Sequence, residues 1–209
     1  TEEIRRRVGI YERAITALAA FKYAKFGYLG HTYDGMYDMN TDPTAFSRTF
    51  GAHVKMLEMC ELADYVHGAT DAEVKARVEE IKSLFDIREP SNDPLTDYVG
   101  ESDLAGAARN AVALDKLVTN NGLSALAYFY KGEHGNEYED IAANLIIGNT
   151  LLTSRGIPLA GEADLKTAAA MMILKSVGAG GSFAELHPFD IHDDIVLVGH
   201  DGPHNINIS

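Results

Sequence analysis

Short apolar runs alternate along this chain with longer stretches of helical periodicity, and that alternation restricts what it can fold into. Residues 22–29, 53–58 and 123–130 are strand-length and rich in apolar and aromatic residues, the last most strongly. Residues 2–20, 59–67, 71–84, 101–120, 137–154 and 162–177 instead repeat at helical spacing, as Ile4, Val8, Tyr11, Ile15 and Leu18 do in the first of them. Strands that take turns with helices predict an α/β fold: an open, mostly parallel sheet flanked by helices. Local signals agree. Asn40-Thr41-Asp42-Pro43-Thr44 is a turn that opens a helix, with Pro at an early position. Asn120-Asn121-Gly122 is a helix stop. Glu73 with Arg77, and Glu79 with Lys82, stand at helical offsets that suit ion pairs. Residues 86–100 hold two prolines and read as a linker, but the alternation resumes beyond them, so no domain boundary is placed there.

At Gly178-Ala179-Gly180-Gly181 the pattern changes. Glycines break the helix, and 183–191 and 194–200 then read as two β segments, so a second, β-rich domain is expected to begin near 178. There is no initiator Met; the chain opens inside a charged helical pattern and closes on 206–209, which alternates as a strand would. Both ends are expected to be cuts within a longer protein. Lys and Arg number 18 against 31 Asp and Glu, a net charge of −13. A phosphate backbone or an anionic membrane needs the opposite footprint, so neither nucleic acid nor membrane is an expected partner. No apolar run approaches the ~20 residues of a membrane helix, and no signal peptide is visible. The single cysteine, Cys60, is expected as a small buried hydrophobe, and a reducing cytoplasm is the natural compartment.

Three residues carry candidate chemistry: Glu162 at the mouth of a helix, Glu185 just inside a strand, and His200 at the end of one. Two carboxylates and an imidazole with open positions suit a hard or borderline divalent ion, Mn²⁺ foremost, with Mg²⁺ or Co²⁺ possible. Each residue alone also has an ordinary reading. An acidic residue at a helix start complements the helix dipole, and a histidine at a strand end is commonly a turn or core residue.

The segment Gly161-Glu162-Ala163-Asp164-Leu165-Lys166-Thr167-Ala168 resembles the helix-opening motif of L-arabinose isomerases, in which the Glu binds the metal; that family commonly has Gly and Trp where this chain has Ala163 and Leu165. Gly181-Ser182-Phe183-Ala184-Glu185 resembles the family's Ser-Phe-x-Glu segment, the source of a second metal glutamate. Val198-Gly199-His200 resembles the strand end that supplies a metal histidine, and Ala24-Lys25-Phe26-Gly27 the strand that enters the central domain. The resemblance implies three domains: residues 1–20 as the tail of an N-terminal domain, 21–177 as a central α/β domain, and 178–209 as the start of a C-terminal β domain. It implies a metal-dependent aldose–ketose isomerase working through a cis-enediol, with Glu162 and Glu185 as acid, base and metal ligands. It implies a small sugar as substrate, a fourth ligand beyond these residues, and a homo-oligomer, trimer or hexamer, with a shared active site. Two alternatives stay open: a fucose-type isomerase with another sugar preference, and a non-catalytic sugar- or metal-binding module.

Other motifs point less far. The loop 30–36 could line the sugar pocket through His31 and Met36, since a Met is present near this point in the family's pocket. His187, His192 and His204 crowd the metal region but read as solvated strand-end residues. Glu133-His134 follows a strand, where α/β sites form, and reads as a polar turn. Residues 178–181 lack the Lys-Ser/Thr of a phosphate loop and follow a helix instead of opening one.

Overall fold

The computed structural model describes residues 1–87, 98–200 and 202–208. In chain order its elements are α1 (Glu2–Lys22), β1 (Lys25–Gly30), α2 (Pro43–Phe50), β2 (His53–Leu57), α3 (Met59–His67), α4 (Asp71–Leu84), α5 (Glu101–Asn121), β3 (Ala125–Phe129), α6 (Glu137–Ala143), α7 (Ile146–Ser154), β4 (Leu159–Ala160), α8 (Leu165–Ser176), β5 (Glu185–Asp190) and β6 (Ile195–Gly199). The first four strands form one parallel sheet in the order β2-β1-β3-β4; β5 and β6 pair antiparallel as a separate hairpin. The α/β architecture is the one the alternation predicts.

Side chains that alternate along each strand feed two cores. Leu29, Leu57, Leu126 and Leu159 face α3, α5, α6 and α7. Phe26, Tyr28, Ala125, Ala127 and Ala160 face α1, α2 and α8. Parallel strands are buried on both faces, which is why they read as continuous apolar runs. A further layer, α4, covers the outer side of α5 through Val74, Ile81, Leu104 and Ala108.

Local chemistry fixes the element ends. The Asp42 carboxylate accepts from the Thr44 and Ala45 amides, at 2.8 and 3.3 Å, and caps α2, with Pro43 at its first position. Gly122, at φ 60°, closes α5 in the left-handed conformation.

Several expectations are corrected. Cys60 is exposed, not buried: Met59, Leu62, Ala63 and Val66 take the inward face of α3, and helical phase turns residue 60 outward. The ridge Ile4, Val8, Tyr11, Ile15, Leu18 is also exposed, and α1 buries only Ala17 and Phe21. The charges on α4 pair mainly with other residues than those expected: Glu73 with Lys116, Arg77 with Asp115 and, one turn along α4, with Glu80 at 3.1 Å, and Lys82 with Glu101. The helix expected over 137–154 is two helices, broken at Asn144 and Leu145. The closing segment is a 3-10 turn, Ile206–Ile208, not a strand, because the Ile206 amide donates to Ser154 Oγ and the Asn207 amide to its neighbour Asn205 Oδ1. Of the linker expected over 86–100, residues 88–97 lie outside the described residues.

The carboxyl ends of β1 and β3 approach closely. Gly30 pairs with Phe129, and the His31 amide donates to the Phe129 carbonyl at 2.9 Å. Gly30 sits at φ 81°, and a Cβ there would lie 2.1 Å from the Phe129 carbonyl oxygen. Gly30→Ala is therefore expected to destabilise the fold by about 3 kcal/mol or more, a melting-temperature loss of roughly 6–12 °C, measured by thermal unfolding.

Candidate metal centre

The centre is assembled where β4 ends. Gly161, Glu162 and Ala163 turn the chain from β4 into α8. Glu162 and Ala163 both take positive φ, 57° and 58°. Two adjacent non-glycine residues there are held against their own preference, at a cost of order 1–2 kcal/mol each. What holds them is a set of neighbours. The Ala163 amide donates to the Tyr128 carbonyl at 2.9 Å, tying the turn to the end of β3, and the Tyr33 amide donates to the Glu162 carbonyl at 3.3 Å. Ala163 is fully buried. Asp164 caps α8, accepting from the Lys166 and Thr167 amides and from the Thr167 hydroxyl, so its oxygens are already engaged.

The hairpin delivers the other two groups. Glu185 is the first residue of β5 and lies opposite Gly199, the last of β6, so His200 follows directly beside it. The hairpin's base is locked to the sheet domain. Phe183, buried with Ala160, Ala163 and Leu165, meets the His200 ring edge-on at 4.9 Å between centroids. The His200 Nδ1 accepts from the Gly202 amide at 2.8 Å. Beyond it, His204 spans from Ser182 Oγ (3.2 Å) to the His200 carbonyl (2.8 Å), its amide donating to Thr150 Oγ1 (3.2 Å).

Glu162, Glu185 and His200 each offer a ligand atom within 4.8 Å of the other two, and each is half-buried. Among the described residues no other group of three His, Cys, Asp or Glu does this; His187 bonds the Gly199 carbonyl, and His192 and Glu133-His134 stand apart on exposed turns. One oxygen of Glu162, Oε2, is buried with no hydrogen-bond partner. Its carboxyl is held above the usual range, first by burial and then by the charge of Glu185, with His200 working the other way. A carboxylate so placed, partly desolvated and facing a second carboxylate, is an arrangement that a cation would relieve.

Glu162 and His200 of this cluster, though not Glu185, line a hollow of about 390 Å³, within the range of small-molecule sites. Its floor is Tyr128, Phe129 and Tyr130 at the end of β3; Glu162 and His200 form one wall and α6 another. Burial pushes the Tyr128 hydroxyl up to about 12, so it stays a protonated donor. The fully buried Asn149 opposes that rise, yet neither of its amide atoms reaches hydrogen-bond geometry, and the contact counts as weak. None of the three floor residues was singled out in the sequence; the available signal was their position at the carboxyl end of a parallel strand.

His31 and Met36 lie elsewhere. His31 lines a neighbouring hollow that shares Tyr130 with the first. Its Nδ1 faces the Thr32 carbonyl at 2.9 Å and its Nε2 accepts from the Lys131 amide at 3.3 Å, so both nitrogens are committed to backbone. Met36, partly exposed before a 3-10 turn, is in the lining of neither hollow. Its loop is pinned by Lys166, whose ammonium donates to the Asp38 and Asn40 carbonyls.

Residues 34–180 match the model of the L-arabinose isomerase central domain. The chain belongs to the L-arabinose isomerase family. It is similar to the L-arabinose isomerase of Arthrobacter sp. (strain FB24), 26% identical over 178 residues, which cover 85% of this chain and 33% of that protein. It is 25% identical over 203 residues to that of Escherichia coli O7:K1 (strain IAI39 / ExPEC), covering 93% and 38%. It is 24% identical over 208 residues to that of Klebsiella pneumoniae (strain 342), covering 95% and 39%. The chain thus spans between a third and two-fifths of the length of these relatives. The central-domain match, residues 34–180, includes Glu162 and stops short of Glu185 and His200. The family's Gly after the motif's Glu also acquires a reason: residue 163 needs φ near 58°, which Gly adopts freely and Ala does not.

The raised carboxyl of Glu162 fixes a sign. The folded chain holds this proton more tightly than the unfolded chain does. Its contribution to stability therefore falls as pH rises from the ordinary value of 4.5 through the folded value. In ion-free protein, Glu162→Gln is expected to raise the melting temperature, and the gain to be larger at pH 8 than at pH 5, read by thermal unfolding in chelator.

Proposed function

We propose that this chain carries three ligands of a divalent-ion centre in an aldose–ketose isomerase acting on a free sugar, of the L-arabinose isomerase type. The observation that carries the reading is the convergence of Glu162, Glu185 and His200 around a buried, unpartnered carboxylate oxygen. Hard oxygen donors with one imidazole fit Mn²⁺, and also Mg²⁺ or Co²⁺; no thiolate is at hand to favour zinc. When bound, such an ion supplies Lewis-acid stabilisation of negative charge developing on the sugar's oxygens.

The chain's own residues do the rest. Isomerisation moves a proton from C2 to C1 while the carbonyl moves from C1 to C2, through a cis-enediol. Two carboxylates flank this transfer. One accepts the C2 proton as the C1 oxygen is protonated; a proton is then returned to C1 as the C2 hydroxyl gives up its own, and Glu162 and Glu185 share these roles. Phe183 and the strained turn at 162–163 keep the two groups in place, so little reorganisation is needed. The Tyr128 hydroxyl stands as a neutral donor in the floor.

On this reading residues 21–177 are the central domain, and the β5–β6 hairpin begins a C-terminal one. A small sugar is the substrate, the assembly is homo-oligomeric with a shared site, and the compartment is cytoplasmic. The described residues include no helix long and apolar enough to cross a membrane.

The test is an isomerase assay of the full-length protein with Mn²⁺ against a panel of pentoses and hexoses. Glu162→Gln and Glu185→Gln are each expected to lower kcat by about 10²-fold or more, and chelation to abolish turnover until Mn²⁺ is restored. Either variant turning over at the wild-type rate ends the reading.

A further inference from the structure

Glu139 lies on α6, in the wall of the same hollow, and has no role in the chemistry above. Its Oε2 is buried and has no hydrogen-bond partner. It forms no ion pair among the described residues. Its place in the helix offers a local explanation that the structure removes. Asn136 is the N-cap of α6 and Glu139 the third residue in, where a glutamate ordinarily reaches back to the N-cap amide. Here that amide donates instead to the Glu133 carbonyl, at 2.9 Å. The Asn136 side chain caps the Tyr138 amide at 2.8 Å without help. Glu139 is released from capping, and it stands in the lining of the hollow with one carboxylate oxygen buried and unpaired, a costly arrangement unless a donor arrives.

Glu139 does not join the three-residue cluster. A sugar whose reacting carbons lay at that cluster would turn another part of itself toward the wall that holds Glu139. A free aldose presents hydroxyl donors there. We propose that Glu139 is a specificity-determining residue, its carboxylate accepting a hydrogen bond from a sugar hydroxyl remote from C1 and C2. The inference rests on the isomerase reading and names the recognition element that reading lacks. A buried acceptor left unpaired discriminates strongly against a ligand without the matching hydroxyl, far more than an apolar wall does.

The experiment measures kcat and KM of the Mn²⁺-loaded full-length protein, wild type, Glu139→Gln and Glu139→Leu. The probes are L-arabinose and its 3-, 4- and 5-deoxy analogues, or the same series of whichever aldose in the panel has the highest kcat/KM. Glu139→Leu is expected to raise KM about tenfold or more, with kcat within about threefold of wild type. Glu139→Gln, which keeps a carbonyl acceptor, falls between. One deoxy analogue is expected to show equal KM in wild type and Glu139→Leu, since the hydroxyl that couples to residue 139 is missing from it. Circular dichroism and the Mn²⁺-induced rise in melting temperature check that both variants fold and load. An unchanged KM in Glu139→Leu overturns the proposal, as does a loss confined to kcat, or an equal penalty on every analogue. A wild type that isomerises no sugar of the panel sinks the isomerase reading, and this proposal with it; active wild type with an indifferent Glu139→Leu sinks this proposal alone.

Discussion

The hydrogen bond from the Ala163 amide to the Tyr128 carbonyl fixes the candidate centre to the sheet. β4 is only two residues long and could not by itself aim the chain that follows it. The bond extends its pairing with β3 past the last ladder position and forces residues 162 and 163 into the left-handed region. That conformation reverses the chain at once, so that Asp164 can cap α8 and Glu162 is directed away from the core it borders. Glu162 is thus placed by backbone geometry on the rigid end of a parallel sheet, where open α/β folds present their ligands. Side-chain placement of this kind is better held than placement by a long loop.

The second arm of the centre is built on a different principle. Glu185 and His200 come from a two-stranded hairpin whose outward residues, Leu186, Phe189, Leu197 and Val198 among them, are largely exposed. An isolated hairpin is marginal in water. Its order here comes from its base: Phe183 seated in the core shared by β4 and α8, and the strap of residues 202–208 bonded back to α7. One carboxylate is therefore held by the sheet, and a carboxylate and an imidazole by an appendage stapled to it. The unfavourable meeting of Glu162 with Glu185 is tolerated because both halves are anchored independently of it.

The sequence made the layered fold legible because burial on both faces writes itself as apolar runs. The helices expected over 59–67 and 71–84 coincide with α3 and α4, whereas the Thr70–Glu73 capping box that starts α4 emerges only in the structure. The failures have physical causes. β1 starts later than expected because Phe21 is buried as part of α1, a role its composition does not reveal. The break at Asn144 and Leu145 hides because Leu145 still points inward on both sides of it. Glu162, Glu185 and His200 could be named from local motifs, but nothing in Glu-Ala announces positive φ, a conformation that glycine or asparagine normally marks. The aromatic floor at 128–130 was invisible for the opposite reason: inside a strongly apolar run, residues that line a hollow and residues that fill a core look alike.

Glu185 and Gly199 form the last rung of the antiparallel ladder, and His200 stands where the two strands part. The distance between carboxylate and imidazole is therefore the opening of a pair of tongs. A bulge between Leu186 and Phe189 interrupts the rungs just behind that opening and lends the ribbon extra twist. The ribbon's coil runs through to the bite at the far end. The spacing of these two side chains thus follows the coil of the whole hairpin, with no change in the atoms themselves.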